Sequence, residues 1–158
     1  MKINTNIAAA FLSTMFLTQM MPELNAADTV TGEKAEMIEN LARGFGSATL
    51  ERRSNGEPYI VGRIDGTKYG IYFYGCENGK ACQSIQFSAG WSGTKMTLES
   101  VNRWNRDKRF GKAYLDKEGD PRLEMDVNLD YGVTKGNFED TFDIWTRVLK
   151  SFKNDFLN

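Results

Sequence analysis

The stretch FYGCENGKACQSIQFSAGW, Phe73 to Trp91, holds the only two cysteines of the chain and its most regular alternation. After Cys82, Ile85, Phe87, Ala89 and Trp91 fall on one side and Ser84, Gln86 and Ser88 on the other. A period of two with one dry and one wet side describes a strand in a half-buried antiparallel sheet. Upstream, in TKYGIYFYG, Tyr69, Ile71 and Phe73 alternate with Gly70, Tyr72 and Tyr74, so both sides are bulky and a central strand is expected. ENGKA (Glu77–Ala81) turns the chain between the two strands, which sets Cys76 and Cys82 close together at the base of a hairpin.

Working outward, SATLERRS, Asn55-Gly56 and EPYIVGRI read as strand, turn and strand, and Asp65-Gly66 is a second turn into the central strand. TGEKAEMIENLARGFG before them reads as a helix, with Thr31 offering an N-cap hydroxyl and Met37, Ile38, Leu41 and Phe45 at helical spacing. On the other side, SGTKMTLESVNRWNRDKR is a second helix with an apolar stripe of Leu98, Val101 and Trp104. FGKAYLD and PRLEMDVNL form a hairpin around KEGD, with Leu123, Met125, Val127 and Leu129 pointing inward. The last segment carries Phe138, Phe142, Trp145, Leu149, Phe152 and Phe156 on one helical stripe, with Thr134 placed to cap it. The order is α-β-β-β-β-α-β-β-α. Tight turns make the strands antiparallel, and three amphipathic helices cover one face well, so the expected fold is α+β: one sheet of about five to six strands with helices on one side.

The N-terminus belongs to a different regime. MKINTN carries one Lys and no acid, Ile7 to Met21 is almost wholly apolar, and PELNAAD ends the run at the small residues Ala26 and Ala27. That is the pattern of a secretory signal peptide over 1–26, cleaved between Ala26 and Ala27, leaving a single domain at 27–158. The alternative is an uncleaved anchor, but the run falls short of the roughly 20 apolar residues a span needs. The expected location is periplasmic or secreted, with no membrane span after cleavage. Hydrophobic residues at 41% and charged residues at 26% give an ordinary globular balance, and the net charge of −1 lacks the basic excess of a nucleic-acid binder.

Export changes how the cysteines read. With no histidine and no third cysteine, zinc has too few ligands, and Cys-x5-Cys between strands is not the Cys-x-x-Cys helix start of a redox pair. A structural disulfide Cys76–Cys82 is favoured over free thiols or a functional redox pair. Glu124, Asp126, Asn128 and Asp130 lie two apart and project from one side of their strand, as a solvated face or a cation-binding one. Gln86, Arg122, Glu124, Asp126 and Asn128 are therefore the candidate binding face, and on a merely solvated face Arg122 and a neighbouring Lys112 or Tyr114 serve as cross-strand partners. DKEGD (Asp116–Asp120) shares only composition with a calcium loop. No histidine base, nucleophile elbow, phosphate loop or dinucleotide fingerprint occurs, so no catalytic residue, metal or cofactor is expected. Trp91, Trp104 and Trp145 fit a core better than a pocket.

The phrases FYGC…C.SIQF, WNR…RF.KAYLD and GDPRLEMD.NL, within a stretch from about Ala35 to Phe152, are similar to the YbjN family of bacterial sensory transduction regulators. Members of that family resemble type III secretion chaperones in fold. The resemblance implies protein binding rather than catalysis and carries over no catalytic residues. With the signal peptide it implies a chaperone-like or envelope-stress role in the periplasm, through a protein partner or a second copy of the chain. The competing expectation is a small-molecule or cation-binding domain that uses the polar sheet face.

Overall fold

The computed structural model describes residues 29–157. The segment read as a signal peptide, with its cleavage point at Ala26 and Ala27, lies outside the described residues. The elements are β1 (Thr29–Val30), α1 (Ala35–Arg43), β2 (Ser47–Arg52), β3 (Pro58–Ile64), β4 (Thr67–Tyr74), β5 (Ser84–Gly90), α2 (Leu98–Asp107), β6 (Lys112–Leu115), β7 (Pro121–Asn128), β8 (Val133–Thr134) and α3 (Lys135–Phe156). Six strands form one antiparallel sheet in the order β2-β3-β4-β5-β7-β6, with β4 in its interior as its two bulky sides require. The chain leaves β5 through α2, lays down β6 at the far edge and returns to insert β7 beside β5.

The core lies on one face of this sheet. Tyr69, Ile71 and Phe73 of β4, Ile85, Phe87 and Ala89 of β5, and Leu123 and Met125 of β7 are all buried there. Onto them α3 presents Phe138, Phe142, Trp145, Leu149 and Phe152. Its Thr134 cap is as expected, the hydroxyl accepting from Asn137 N at 3.2 Å. Rings carry the packing across the layers. Phe45 from the end of α1 stacks on Phe142 at 5.1 Å, Phe142 meets Phe87 edge-on at 5.0 Å, and Trp145 lies 5.4 Å from Phe87. At the other end Phe152 sits between Trp91 and Trp104, each 5.0 Å away. The tryptophans are thus core, and their contacts give preferred offset and edge geometries.

Three local expectations are corrected. α1 begins at Ala35 with Lys34 in the N-cap position and no side-chain cap, while Thr31 accepts Lys34 N through its carbonyl instead. Thr31 belongs to the segment after β1, which pairs with β8, a two-residue ladder too short to leave a period. Leu98 is 74% exposed, standing at the first position of α2, before the buried Val101 and Trp104. Asp130 leaves the row of acids, since β7 ends at Asn128, whose Oδ1 accepts Asp130 N at 3.0 Å and turns the chain.

Cys76 and Cys82 are joined in a disulfide. Between them Asn78 and Gly79 both take positive φ, 53° and 72°, the pair of left-handed residues that a tight two-residue hairpin turn demands. Glu77 and Lys80 close this turn with a pair of backbone hydrogen bonds. Arg52 Nη1 donates to Gly56 O at 2.9 Å and to Gly79 O at 3.4 Å, tying this tip to the Asn55-Gly56 turn beside it.

Candidate functional site: the helix-free face of the sheet

The sheet's other face has no helix on it. Cross-strand register places its side chains in rows. One row runs Glu51, Tyr59, Tyr72, Gln86, Asp126 and the next Thr49, Val61, Gly70, Ser88, Glu124, Lys112. A third holds Gly90, Arg122 and Tyr114, so the four residues Gln86, Arg122, Glu124 and Asp126 are drawn into one surface, with Asn128 opposite Ser84 at its end.

The polar groups there form short chains along the rows. Tyr74 Oη donates to Gln86 Oε1 at 3.3 Å, and Gln86 Nε2 donates to Asp126 Oδ1 at 2.8 Å, linking β4, β5 and β7. Tyr114 lies opposite Arg122 and Lys112 opposite Glu124 in register, and Glu124 accepts from both, Tyr114 Oη at 2.7 Å and Lys112 Nζ at 3.3 Å. Arg122 turns to Asp116 instead, donating from Nε at 2.8 Å. That hydrogen bond, with backbone donors from Asp120 and Glu118, holds the Asp116 carboxyl below the usual carboxylate range. In the DKEGD segment Asp116 accepts from the backbone of its own turn and Asp120 accepts from Gly93 N at 2.8 Å. No group of three or more Asp, Glu, His or Cys able to hold a metal ion occurs among the described residues.

Four tyrosines, Tyr59, Tyr72, Tyr74 and Tyr114, stand among these groups. The Tyr59 and Tyr72 rings lie 4.6 Å apart, and the Arg53 guanidinium sits 5.6 Å from the Tyr72 ring. Burial, then the hydrogen bond to Tyr72, pushes the Tyr59 hydroxyl up to about 12. Burial and the Glu124 hydrogen bond push Tyr114 to about 12 as well. These hydroxyls therefore stay protonated and serve as neutral donors. Alternation along the chain points to the carboxylates of this face and to Tyr114, whereas Tyr59, Tyr72 and Tyr74 are missed as members of the site; the bulky outward alternation of Tyr72 and Tyr74 is the available signal.

Beside the tyrosines, Gly70 and Gly90 leave a depression of about 210 Å³, walled by Tyr59, Tyr72, Lys68 and Arg122. A side chain at Gly70 would run into the Tyr59 ring and one at Gly90 into Arg122, so the glycines let both long side chains lie across the backbone.

Both edges of the sheet are plugged from the helices. On β2, Leu50 N donates to Glu39 Oε1 at 2.9 Å and Ala48 O accepts from Arg43 Nε at 3.2 Å, with Glu39 and Arg43 themselves paired at 2.6 Å. On β6, the Asn105 amide donates to Ala113 O at 2.9 Å and accepts Ala113 N at 2.8 Å, standing in for a neighbouring strand. An exposed edge invites strand addition; here side chains already occupy it.

The comparison with known families matches residues 34–158 to YbjN, described as "Putative bacterial sensory transduction regulator". The chain belongs to the YbjN family. The match takes in every element from α1 to α3, the plugged edges and the whole of the helix-free face. No curated protein and no solved structure matched the chain. As a YbjN member it falls in a family of bacterial regulators with no catalytic assignment. No helix among the described residues is long and apolar enough to cross a membrane, and the disulfide fits an oxidising compartment.

Proposed function

We propose that this YbjN protein is a non-enzymatic binding module of the bacterial envelope that docks a protein partner on the helix-free face of its sheet. The observation that carries this is the cluster Tyr59, Tyr72, Tyr74 and Tyr114 set among Gln86, Arg122, Glu124 and Asp126. Tyrosine and arginine with neutral amide and hydroxyl groups are the composition of protein-recognition surfaces, giving large contact area for little lost rotamer freedom. The plugged edges support a face-on partner rather than an added strand. The likeness to secretion chaperones that family resemblance implies points the same way, towards regulation by binding in the periplasm, in a chaperone-like or envelope-stress role.

The test uses protein exported by its own host. Tyr74→Ala/Tyr114→Ala should keep the wild-type melting temperature within a few degrees and abolish a stoichiometric complex that the wild type forms. Sedimentation of the purified protein separates the case in which the partner is a second copy. A complex unchanged by these substitutions, but lost on changing exposed positions of α3 such as Asp143, would refute the assignment.

A further inference from the structure

We propose that the depression at Gly70 and Gly90 binds a monoanionic carboxylate carried on a flat or apolar body. The inference rests on the open face being the interaction surface and names the group a partner would present there. Its walls combine two chemistries. Tyr59 and Tyr72 offer ring surface and hydroxyls, and burial with the hydrogen bond to Tyr72 keeps the Tyr59 hydroxyl protonated. Lys68 and Arg122 bring positive charge, and Ser88, opposite Gly70 on β5, adds a hydroxyl.

The charge balance selects the ligand. Lys112 is paired with Glu124, Arg53 with Glu57, and Arg122 with Asp116. Arg122 makes that pair through Nε at 2.8 Å, while Nη1 lies over Gly90 at the rim of the depression. Lys68 has no carboxylate partner among the described residues, and its neighbour Arg63 donates to Gly66 O at 2.7 Å. The site therefore holds one uncompensated ammonium and the free edge of one guanidinium, enough for a single negative charge. A dianion such as phosphate would also face Glu124, across from Ser88, and Asp126 in the adjoining row. Like charges in partly solvated surroundings repel, so the monoanion is favoured. The 210 Å³ volume takes a carboxylate with a ring or short side chain, not an extended ligand.

Backbone NMR of the oxidised, exported protein tests this. Two matched pairs are titrated to millimolar concentration: phenylacetate against phenylacetamide, and N-acetylglycylphenylalanine with a free against an amidated C terminus. At least one acid should shift the Gly70, Ser88 and Gly90 amides while its amide does not. Lys68→Gln, an exposed substitution, should weaken that acid about tenfold, the scale of one charge-assisted contact. Preference for phenylacetate points to a free small molecule; preference for the peptide acid points to a polypeptide C terminus. No shift with either acid, equal shifts with acid and amide, or unchanged affinity in Lys68→Gln would overturn the proposal. If the site fails while Tyr74→Ala/Tyr114→Ala still abolishes the protein complex, the docking face stands without it.

Discussion

The two faces of the one sheet are built on opposite terms. On the covered face Phe87, Phe142, Trp145 and Phe152 are fully buried, Phe87 meeting the rings of Phe142 and Trp145 and Phe152 meeting that of Trp104. On the open face the rings belong to tyrosines, and Lys112 and Arg122 are tied to Glu124 and Asp116. Stability is concentrated where side chains are large and dry, since cavity and transfer terms scale with what is buried. The open face costs less to alter because the cations of its ion pairs are exposed to water, which weakens the pairing. Recognition can therefore change on one side of the sheet without endangering the fold on the other.

Substitution on the covered face should produce the largest effect. Phe142→Ala or Trp145→Ala removes a fully buried ring and should destabilise by about 3–5 kcal/mol, read by denaturant unfolding. A loss below about 1 kcal/mol would mean that the ring network is not the core. Breaking the disulfide comes next. The Cys76–Cys82 bridge closes a short loop, so reduction or double replacement by serine should cost about 2 kcal/mol and leave partner binding intact. The non-reduced protein should weigh two hydrogens less than its reduced form.

Removing an edge plug should cost less. Asn105→Ala strips both hydrogen bonds from Ala113 and should destabilise by about 1–2 kcal/mol. It should also cause concentration-dependent association in sedimentation, because a bare edge templates another strand.

High pH probes both faces. The hydroxyls of Tyr59, Tyr69 and Tyr114 are each raised from 10.0 to about 12 in the fold. A raised folded value stabilises fully below the unfolded one and is lost as pH climbs through the folded one. Thermal stability should therefore hold up to about pH 10 on their account and fall between about 10 and 12. Tyr69→Phe separates the faces at least cost. The Tyr69 hydroxyl is buried without a hydrogen-bond partner among the described residues, so deleting it should change neutral-pH stability by less than about 1 kcal/mol, and towards higher stability. The same substitution should blunt the alkaline fall. A loss of several kcal/mol would mean that the hydroxyl is satisfied.

Much of the covered face was legible in the residues. Period two in Ser84–Gly90 and the 4-3-4-3-4 spacing from Phe138 to Phe156 each specify one buried side, and opposing sides must meet. The cysteine pair was legible because the hairpin brought it together. What could not be read depends on register between strands. Gly70 and Gly90 look like strand weaknesses until Tyr59 and Arg122 lie over them. Asn105 and Glu39 look like ordinary helix-surface polars, because nothing along the chain says that a sheet edge runs beside them. Ladders of two residues, such as β1 with β8, leave no period at all.

The central claim is that the open face, not the helix layer, meets the partner. Site-specific photo-crosslinking in the native host tests it most directly, with the crosslinker placed at Gln86 or at Glu139 on α3. The account predicts one discrete product of constant mass from position 86, lost with Tyr74→Ala/Tyr114→Ala, and none from position 139. A discrete product from position 139 alone would contradict it.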